Sequence, residues 1–286
     1  MALLSAFILF FPLLAASATP AEPWRLVWQD EFGGSAGTPP DPAKWKAETG
    51  NGDSGWGNGE LEYYCPPGSS AAPCDARSPN AYRDGRGRLV LRAVRTSSGA
   101  WTSARLKTDG LFSFQYGRVE ARLRLPVGAG LWPAFWMLGV DISSAGWPAC
   151  GELDIMENVP AGVPRGLGPG KILSTIHGPG YSGDAGISRK YSFPLSGRVD
   201  EGFHVYGMLW SPGRVAFYVD DWRKPFAALT PAELPQGAAW VFDKPQFLLL
   251  NLAVGGQWPG APDAATPDPA RMLVDYVRVY RARDQR

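Results

Sequence analysis

Three carboxylates lie within six residues of one another, at Glu152, Asp154 and Glu157, among apolar residues typical of a core-facing strand. On a helix, Glu152 and Glu157 would point about 140° apart and could not converge on one ligand. On a strand, Glu152 and Asp154 share a face, and a β-bulge after Asp154 would turn Glu157 to that face too. We therefore predict a bulged strand with a row of three acids. Two carboxylates that face one bond are what glycoside hydrolysis requires.

Spacing alone is also compatible with a solvated acidic edge or with a calcium site, and it leaves these alternatives open. The surroundings favour catalysis on a sugar. Trp132, Trp136 and Trp147 precede the acids, and Gln257 with Trp258 lies in a separate glycine-rich segment. A single tryptophan is more often part of a core, but indole faces pack well against the C–H faces of pyranose rings. Tryptophans around acids therefore indicate a sugar-binding cleft.

Strands are the elements that would position these side chains, because several segments alternate apolar and polar residues with period two. The pattern is clearest at 117–125 and 272–280, and helical periodicity is scarce. Further strands are predicted at 26–30, 89–95, 172–177, 203–210, 215–219 and 246–254. Many short strands bounded by Gly, Pro or Asp predict an all-β sandwich.

Composition places the chain among globular proteins. Its 286 residues fit one large β domain, and hydrophobic residues make up 45% against 19% charged residues. The 28 Lys and Arg residues nearly balance the 27 Asp and Glu residues. With no basic field to hold a phosphate backbone, we expect no nucleic-acid partner.

The first 18 residues are interpreted as a signal peptide, because 3–14 is almost unbroken apolar sequence and 16–18 (ASA) fits a cleavage site. The segment has no Lys or Arg before its apolar run, which leaves an uncleaved anchor as the alternative. About twelve apolar residues are short for a membrane span that needs roughly 20. We therefore expect a secreted or periplasmic protein, free of the membrane after cleavage, with a single domain at 19–286.

Three cysteines in an exported chain allow one disulfide and one free thiol. Cys65 and Cys74 flank the aperiodic segment 66–73, whose closure would restrict the unfolded chain, and they are the predicted pair. Cys150 would then be free. A nucleophilic thiol is conceivable beside the acidic cluster, but nearby carboxylates disfavour a thiolate, so a buried apolar role is expected.

Six stretches of the chain carry a family resemblance, and they follow the family's order. They are 55–64 (GWGNGELEYY), 116–122 (YGRVEAR), 130–138 (GLWPAFWML), 151–157 (GELDIME), 203–206 (FHVY) and 251–256 (NLAVGG). Together they resemble the laminarinase-type members of glycoside hydrolase family 16, over nearly all of the mature chain. The E-x-D-x-x-E pattern is specific only when it is read with these flanks.

The resemblance implies a β-jelly-roll sandwich of two antiparallel sheets with a concave substrate cleft. It also implies Glu152 as nucleophile, Glu157 as general acid/base, and Asp154 between them to tune both. The expected activity is that of a secreted, retaining endo-β-1,3-glucanase that cuts laminarin-like glucans. The alternatives are a mixed-linkage β-1,3-1,4-glucanase, which the extra residue Met156 disfavours, a galactan hydrolase, or a non-catalytic glucan-binding protein.

The same resemblance implies further site residues. The expected substrate-binding set is Trp56, Asn58, Glu60, Trp132, Trp136, Trp147, His177, Gln257 and Trp258. A structural calcium ion would be held by Glu31, Asp275 and the backbone carbonyl of Gly87, with plain surface acids as the alternative. We expect no catalytic cofactor, a β-1,3-linked glucan as partner, and a monomer.

Overall fold

The computed structural model describes residues 23–283, so the predicted signal peptide lies outside the described residues. The described chain consists mainly of short strands joined by turns. They are β1 Trp24–Asp30, β2 Lys46–Ala47, β3 Glu62–Tyr64, β4 Ala81–Arg83, β5 Leu89–Arg95, β6 Trp101–Ser103, β7 Arg105–Lys107, β8 Gly117–Arg124, β9 Leu131–Gly139, β10 Glu152–Glu157, β11 Lys171–His177, β12 Ile187–Ser192, β13 His204–Ser211, β14 Arg214–Val219, β15 Ala227–Leu229, β16 Gln246–Val254 and β17 Ala270–Ala282.

Helical structure is limited to single turns, at Gly55–Gly59, Ile142–Ala145, Gly183–Ala185 and Pro231–Glu233 among the described residues. Within 23–283, none of the helices has the length and apolar character that a membrane-crossing helix needs. The backbone hydrogen bonds of the domain are therefore made mainly between strands and in turns.

The strands form two sheets that pack face to face. One sheet has the order β15-β14-β13-β8-β17-β5-β6-β3, with β1 beside β17 and β4 beside β5. The other has the order β12-β11-β10-β9-β16-β7-β2, in which the acidic strand β10 lies beside the central strand β9. The predicted two-sheet sandwich is confirmed. Its pairing is antiparallel apart from β3 and β6, which run parallel.

The core lies between the sheets because alternate residues of each strand point inward. In β8, Val119, Ala121 and Leu123 are completely buried in the central cluster. From the other sheet, Leu153 and Met156 of β10 reach the same cluster. The residues that alternate with them on β10 are therefore directed to the outer face of the seven-stranded sheet.

The eight strands predicted from alternation are all present, with ends that shift by up to two residues. β9 was not predicted. Its sequence, LWPAFWMLG, shows no alternation because both faces are apolar: Phe135 and Met137 enter the core while Trp132 and Trp136 face the other way. A proline at its third residue also weakens the strand signal.

Cys65 and Cys74 are joined by a disulfide that closes a loop of nine residues' separation, as the sequence predicts. Cys150 is free and buried. Burial and the nearby charges of Glu152 and Asp141 raise the pKa of its thiol to about 11. A thiol that stays protonated at neutral pH is a poor nucleophile, which favours the packing role expected for Cys150.

Candidate active site

The acidic strand β10 carries the predicted bulge. Its pairing with β9 is regular up to Asp154 opposite Trp136, then skips Ile155 and resumes with Met156 opposite Phe135. Its pairing with β11 shifts in the same interval, between Asp154 and Glu157. The one extra residue restores Glu157 to the face of Glu152 and Asp154. The predicted row of three acids on one face is thus present in the fold.

Two tryptophans each hold one of the outer acids of the row. The indole N–H of Trp147 donates to Glu152 at 2.9 Å, and that of Trp132 donates to Glu157 at 3.0 Å. Each bond fixes the rotamer of a buried carboxyl group and leaves its second oxygen for other partners. Trp147 is itself 50% exposed and forms part of the cleft wall.

His177 lies beside Glu152 and Asp154, because it is the β11 residue opposite Glu152. Its Nε2 is 3.0 Å from a carboxylate oxygen of Asp154 and 3.7 Å from one of Glu152. Ligand atoms of these three side chains lie within 4.8 Å of one another, close enough to hold one cation. His177 is therefore placed to influence the charge of both acids.

Burial dominates the electrostatics of the row. It raises the pKa of Glu152 to about 8, with a further contribution from Asp154, while His177 and the bond from Trp147 oppose the shift. Burial also raises the pKa of Asp154 to about 8. Burial, followed by the charge of Asp154, raises the pKa of Glu157 well above its usual range. At neutral pH the row therefore retains protons and carries fewer than three negative charges.

Next to the acids, the cleft contains the guanidinium group of Arg105, which packs against two indole rings. The guanidinium carbon of Arg105 lies 4.6 Å from the ring centroid of Trp56 and 4.8 Å from that of Trp136. Its Nε is 2.6 Å from Glu48, which balances the charge. Sequence reasoning missed Arg105, because the Arg-Leu-Lys alternation of β7 is that of any half-exposed strand. Arg105 fixes both indoles in position and lowers the pKa of Glu152.

The turn Gly55–Gly59 places Trp56 and Asn58 over this end of the cleft. Trp56 adopts a left-handed conformation, with φ of 54°. Gly55 also has positive φ, and a Cβ there would stand 2.4 Å from the backbone nitrogen of Glu60. Only glycine allows the chain to fold back so closely at this position.

A polar network links this turn to the sheet. The carboxylate of Glu60 accepts from the amide of Asn58 at 2.9 Å and from the hydroxyl of Tyr64 at 3.2 Å. Asn251 donates to the Tyr64 oxygen at 3.2 Å and accepts from the indole of Trp136 at 2.7 Å. The sequence analysis includes Asn251 only within the stretch 251–256 and assigns it no role in the site. Its position opposite Ala134 in the sheet shows it to be a member of the cleft.

The loop after β16 closes against the same turn. The backbone N–H of Gln257 donates to the carbonyl of Asn58 at 2.8 Å. The ring of Trp258 packs edge-on against Trp132, with centroids 5.3 Å apart. The loop therefore contacts Trp132, the residue whose indole N–H donates to Glu157. The predicted cleft residues thus form one connected set, although their individual roles in binding stay predictions.

Comparison with known proteins agrees with this arrangement. The family model described as "Glycosyl hydrolases family 16" matches residues 71–278. The chain belongs to glycosyl hydrolase family 16. It is 42% identical over 268 residues to the β-glucanase of Rhodothermus marinus, covering 90% of this chain and 85% of that protein.

Solved structures of the family match over nearly the full described length. An endo-β-1,3-glucanase from Pyrococcus furiosus has a TM-score of 0.76 at 46% identity, covering 90% of this chain and 94% of that one. The laminarinase catalytic domain from Thermotoga maritima MSB8 has a TM-score of 0.76 at 43% identity, covering 91% and 99%. The predicted family and jelly-roll fold are confirmed.

The predicted calcium ligands of this family 16 chain meet beside β17. β5 and β1 occupy the same edge of β17, with β5 leaving it at Val274 and β1 joining it at Val277. Gly87 precedes β5 and Glu31 follows β1, so both lie near the gap opposite Asp275. A Cβ on Gly87 would be 3.8 Å from the carbonyl oxygen of Glu31. The three residues therefore fit a shared oxygen site.

The contacts of these residues define which atoms could bind a cation. The carboxylate of Glu31 accepts two bonds from Arg278, at 2.7 and 2.9 Å, so its backbone carbonyl is the candidate ligand. Asp275 accepts from Arg122 through Oδ2 at 2.6 Å, which leaves Oδ1 as its candidate atom. A cation here would thus rely on backbone carbonyls and one carboxylate oxygen.

Glu62 is a second buried acid, and its side chain interacts with that of Glu60. Glu62 is completely buried, and one of its oxygens accepts from the backbone N–H of Val254 at 2.7 Å. Burial, the charge of Glu60 and a hydrogen bond to Glu60 raise the pKa of Glu62 well above its usual range. These influences favour the protonated form of Glu62, whose O–H would be the donor to Glu60.

We expect Glu62→Gln to retain near-normal activity and to be more stable than wild type at pH 8. Glutamine can accept from Val254 and donate to Glu60, but it never ionises. Because the pKa of Glu62 is raised in the folded protein, wild-type stability falls as the pH rises above the pKa that Glu62 has in the unfolded chain. At pH 4 the side chain is mainly neutral in both the folded and the unfolded protein, so this effect is small. The gain at pH 8 should be about 1–2 kcal/mol, or roughly 2–8 °C in melting temperature.

Glu62→Ala is the control, because it can make neither bond and should be destabilised at both pH values. Melting curves at pH 4 and pH 8 measure the effect. A Glu62→Gln variant that loses more stability at pH 8 than at pH 4 would contradict a neutral Glu62.

Proposed function

We propose that the protein is an endo-β-1,3-glucanase that cleaves laminarin-like glucans with retention of anomeric configuration. The observation that carries the proposal is the bulged row of Glu152, Asp154 and Glu157, held by two tryptophans on one face of the sheet. The activities of the similar proteins, a β-glucanase, an endo-β-1,3-glucanase and a laminarinase, support the choice of substrate.

The reaction would proceed in two displacements. In the first, a carboxylate oxygen of Glu152 attacks the anomeric carbon while Glu157 gives its proton to the departing glycosidic oxygen. In the second, Glu157 takes a proton from water, whose oxygen attacks the same carbon and releases Glu152. Two inversions at one carbon give net retention.

The surroundings of the two glutamates support this division of roles. The N–H of Trp147, the ring of His177 and the charge of Arg105 all favour the ionised form of Glu152. Burial, Asp154 and Glu152 raise the pKa of Glu157, while His177 and the bond from Trp132 oppose the shift, so an ionised Glu152 favours a protonated Glu157. Asp154 thus links the two, since its charge raises the proton affinity of its neighbours.

We expect laminarin to be hydrolysed faster than lichenan, curdlan or agarose, and the first product to be the β-anomer. Proton NMR during the first turnovers distinguishes the anomers before mutarotation. A mixed-linkage enzyme would prefer lichenan, a galactan hydrolase would prefer agarose, and a binding protein would cleave none of them. An initial α-anomer would overturn the double displacement and the role of Glu152.

We expect Glu152→Gly and Glu157→Ala each to lower kcat on laminarin by at least about a thousandfold, because each removes a group that takes part in bond breaking. Azide should rescue both variants, with different products. With Glu152→Gly the anion replaces the nucleophile and gives an α-glycosyl azide, whereas with Glu157→Ala it traps the covalent intermediate and gives a β-glycosyl azide. Azide products of the opposite configuration would exchange the two assignments.

Export belongs to the same proposal. The apolar segment at 1–18 would direct the chain out of the cytoplasm and be removed, which leaves a monomeric domain at 19–286. The disulfide between Cys65 and Cys74 supports an oxidising compartment. Amino-terminal sequencing of the exported protein and its mass in solution check both statements.

Calcium would stabilise the fold and take no part in bond cleavage. We expect EDTA to lower the melting temperature while kcat at 25 °C is unchanged. Binding to the native state alone adds about 2.7 kcal/mol at a hundredfold excess over Kd, which corresponds to roughly 5–10 °C. Asp275→Ala should abolish the sensitivity to EDTA. Identical wild-type melting curves in calcium and in EDTA would remove the site.

A further inference from the structure

A cavity of about 320 Å³ lies outside the cleft, and we name it the outer pocket. Its walls include two tryptophans, two tyrosines and an ion pair, namely Trp24, Trp222, Tyr276, Tyr280, Arg118 and Glu120. The volume is at the lower end of the range of roughly 300–1,000 Å³ typical of small-molecule pockets. It is large enough to admit a small ligand and is not part of the catalytic row.

The outer pocket lies on the opposite side of the sandwich from the acids. Arg118 and Glu120 of β8 alternate with Val119 and Ala121, which are completely buried in the core. They therefore project from the outer face of the ten-stranded sheet. The acids project from the outer face of the other sheet, so two layers of strands separate the two sites.

Aromatic rings form two walls of the outer pocket at right angles. The rings of Trp24 and Trp222 have centroids 6.0 Å apart and an interplanar angle of 90°. Both are only partly buried, although indole is a large apolar group. A ligand that stacked on Trp222 would compete with the exposed Arg223, whose guanidinium carbon lies 4.6 Å from the ring centroid. The guanidinium carbon of Arg118 lies 5.4 Å from the same centroid and 5.7 Å from that of Trp24, so the ligand would also contact Arg118. Flat apolar walls of this kind suit a ring with C–H faces.

Polar groups of both signs complete the outer pocket. Arg118, with a side chain only 9% exposed, lies 3.9 Å from the ring centroid of Tyr280 and 3.8 Å from Glu120. Its buried Nε makes no hydrogen bond to any described residue. Glu120 accepts from Tyr218 at 2.6 Å and from Tyr280 at 3.2 Å.

The charges of the lining residues narrow the chemical class of the ligand. Arg118 is the one cation among them and faces two acids, Glu120 and Asp220, so the pocket does not concentrate anions, and a phosphate or carboxylate gains little there. A purely apolar ligand would leave the polar groups without partners. A neutral ring with hydroxyl groups at its edge and C–H groups on its faces can form hydrogen bonds with the polar groups and pack against the aromatic rings. A pyranose unit has this chemistry.

We infer that the outer pocket is a second carbohydrate-binding site, which holds one pyranose unit of a β-glucan chain remote from the catalytic cleft. The identity of the polymer rests on the proposed function. A site on the far side of the sandwich keeps the enzyme on an insoluble glucan between cuts, since a second contact raises the effective concentration of substrate. It gives no such advantage on a short soluble oligosaccharide.

The test compares Trp222→Ala, Trp222→Phe and wild type on two substrates, soluble laminaripentaose and insoluble curdlan. Binding to curdlan is measured by sedimentation, in proteins that also carry Glu152→Gln so that the polymer stays intact. Trp222→Ala should weaken curdlan binding on the order of tenfold. Catalytically intact Trp222→Ala should lose activity on curdlan in parallel and keep wild-type kcat/KM on laminaripentaose.

Trp222→Phe is the matched control, because it keeps an aromatic face and should weaken curdlan binding less than Trp222→Ala does. It also carries the test if Trp222→Ala fails to fold, which melting curves reveal. Curdlan binding that is unchanged in either folded variant overturns the second site. An equal loss on laminaripentaose also overturns it, since the substitution would then act through the cleft. Absence of laminaripentaose hydrolysis by the wild type would instead refute the proposed function.

Discussion

The placement of the three acids on one face depends on one inserted residue. Without Ile155 as the extra residue of β10, the period of two would send Glu157 into the core, where a carboxyl group would have no partner among Leu153 and its neighbours. The bulge places Glu157 instead beneath the indole N–H of Trp132. The positions of the surrounding side chains follow from that register. Trp136 is aligned with Asp154, and His177 with Glu152, because β9 and β11 pair with the regular part of the strand.

Burial of the acids gives the site its proton affinity, and it also makes the site unfavourable for folding. Three carboxyl groups removed from water cannot all ionise, so the site holds protons that free carboxylates would release. The neighbours of the two glutamates differ in part. Trp147 and Arg105 favour the ionised form of Glu152 and Trp132 favours that of Glu157, whereas His177 and Asp154 act on both. The large core between the sheets stabilises the fold and offsets the unfavourable burial of these acids.

Sequence reasoning succeeds where one physical signal dominates. Strands with one buried face alternate, so β5, β8 and β16 were predicted at or near their observed bounds. The bulge followed from requiring Glu152 and Glu157 to share a face. β9 gave no such signal, because its outer face carries tryptophans and both faces are therefore apolar.

Other features depend on contacts between distant segments. Arg105 becomes part of the cleft only when β7 lies beside β16 and the turn of Trp56 folds over it. Glu62 has the sequence of an exposed strand acid, yet the end of β16 covers it. Sequence patterns report the neighbours along one strand. They do not report which segment will cover the strand, and that covering raises the pKa of Glu62 and brings Arg105 against Trp56.

Cys150 has a practical consequence for studies of this enzyme in solution. With a pKa of about 11, roughly one thiol in ten thousand is ionised at pH 7, and burial keeps reagents away from it. The other two cysteines are joined in a disulfide. A cysteine introduced at an exposed residue such as Leu195, which is 97% exposed, would thus be the one thiol to react with a maleimide dye. Fluorophores can be attached at chosen sites without first removing a native cysteine.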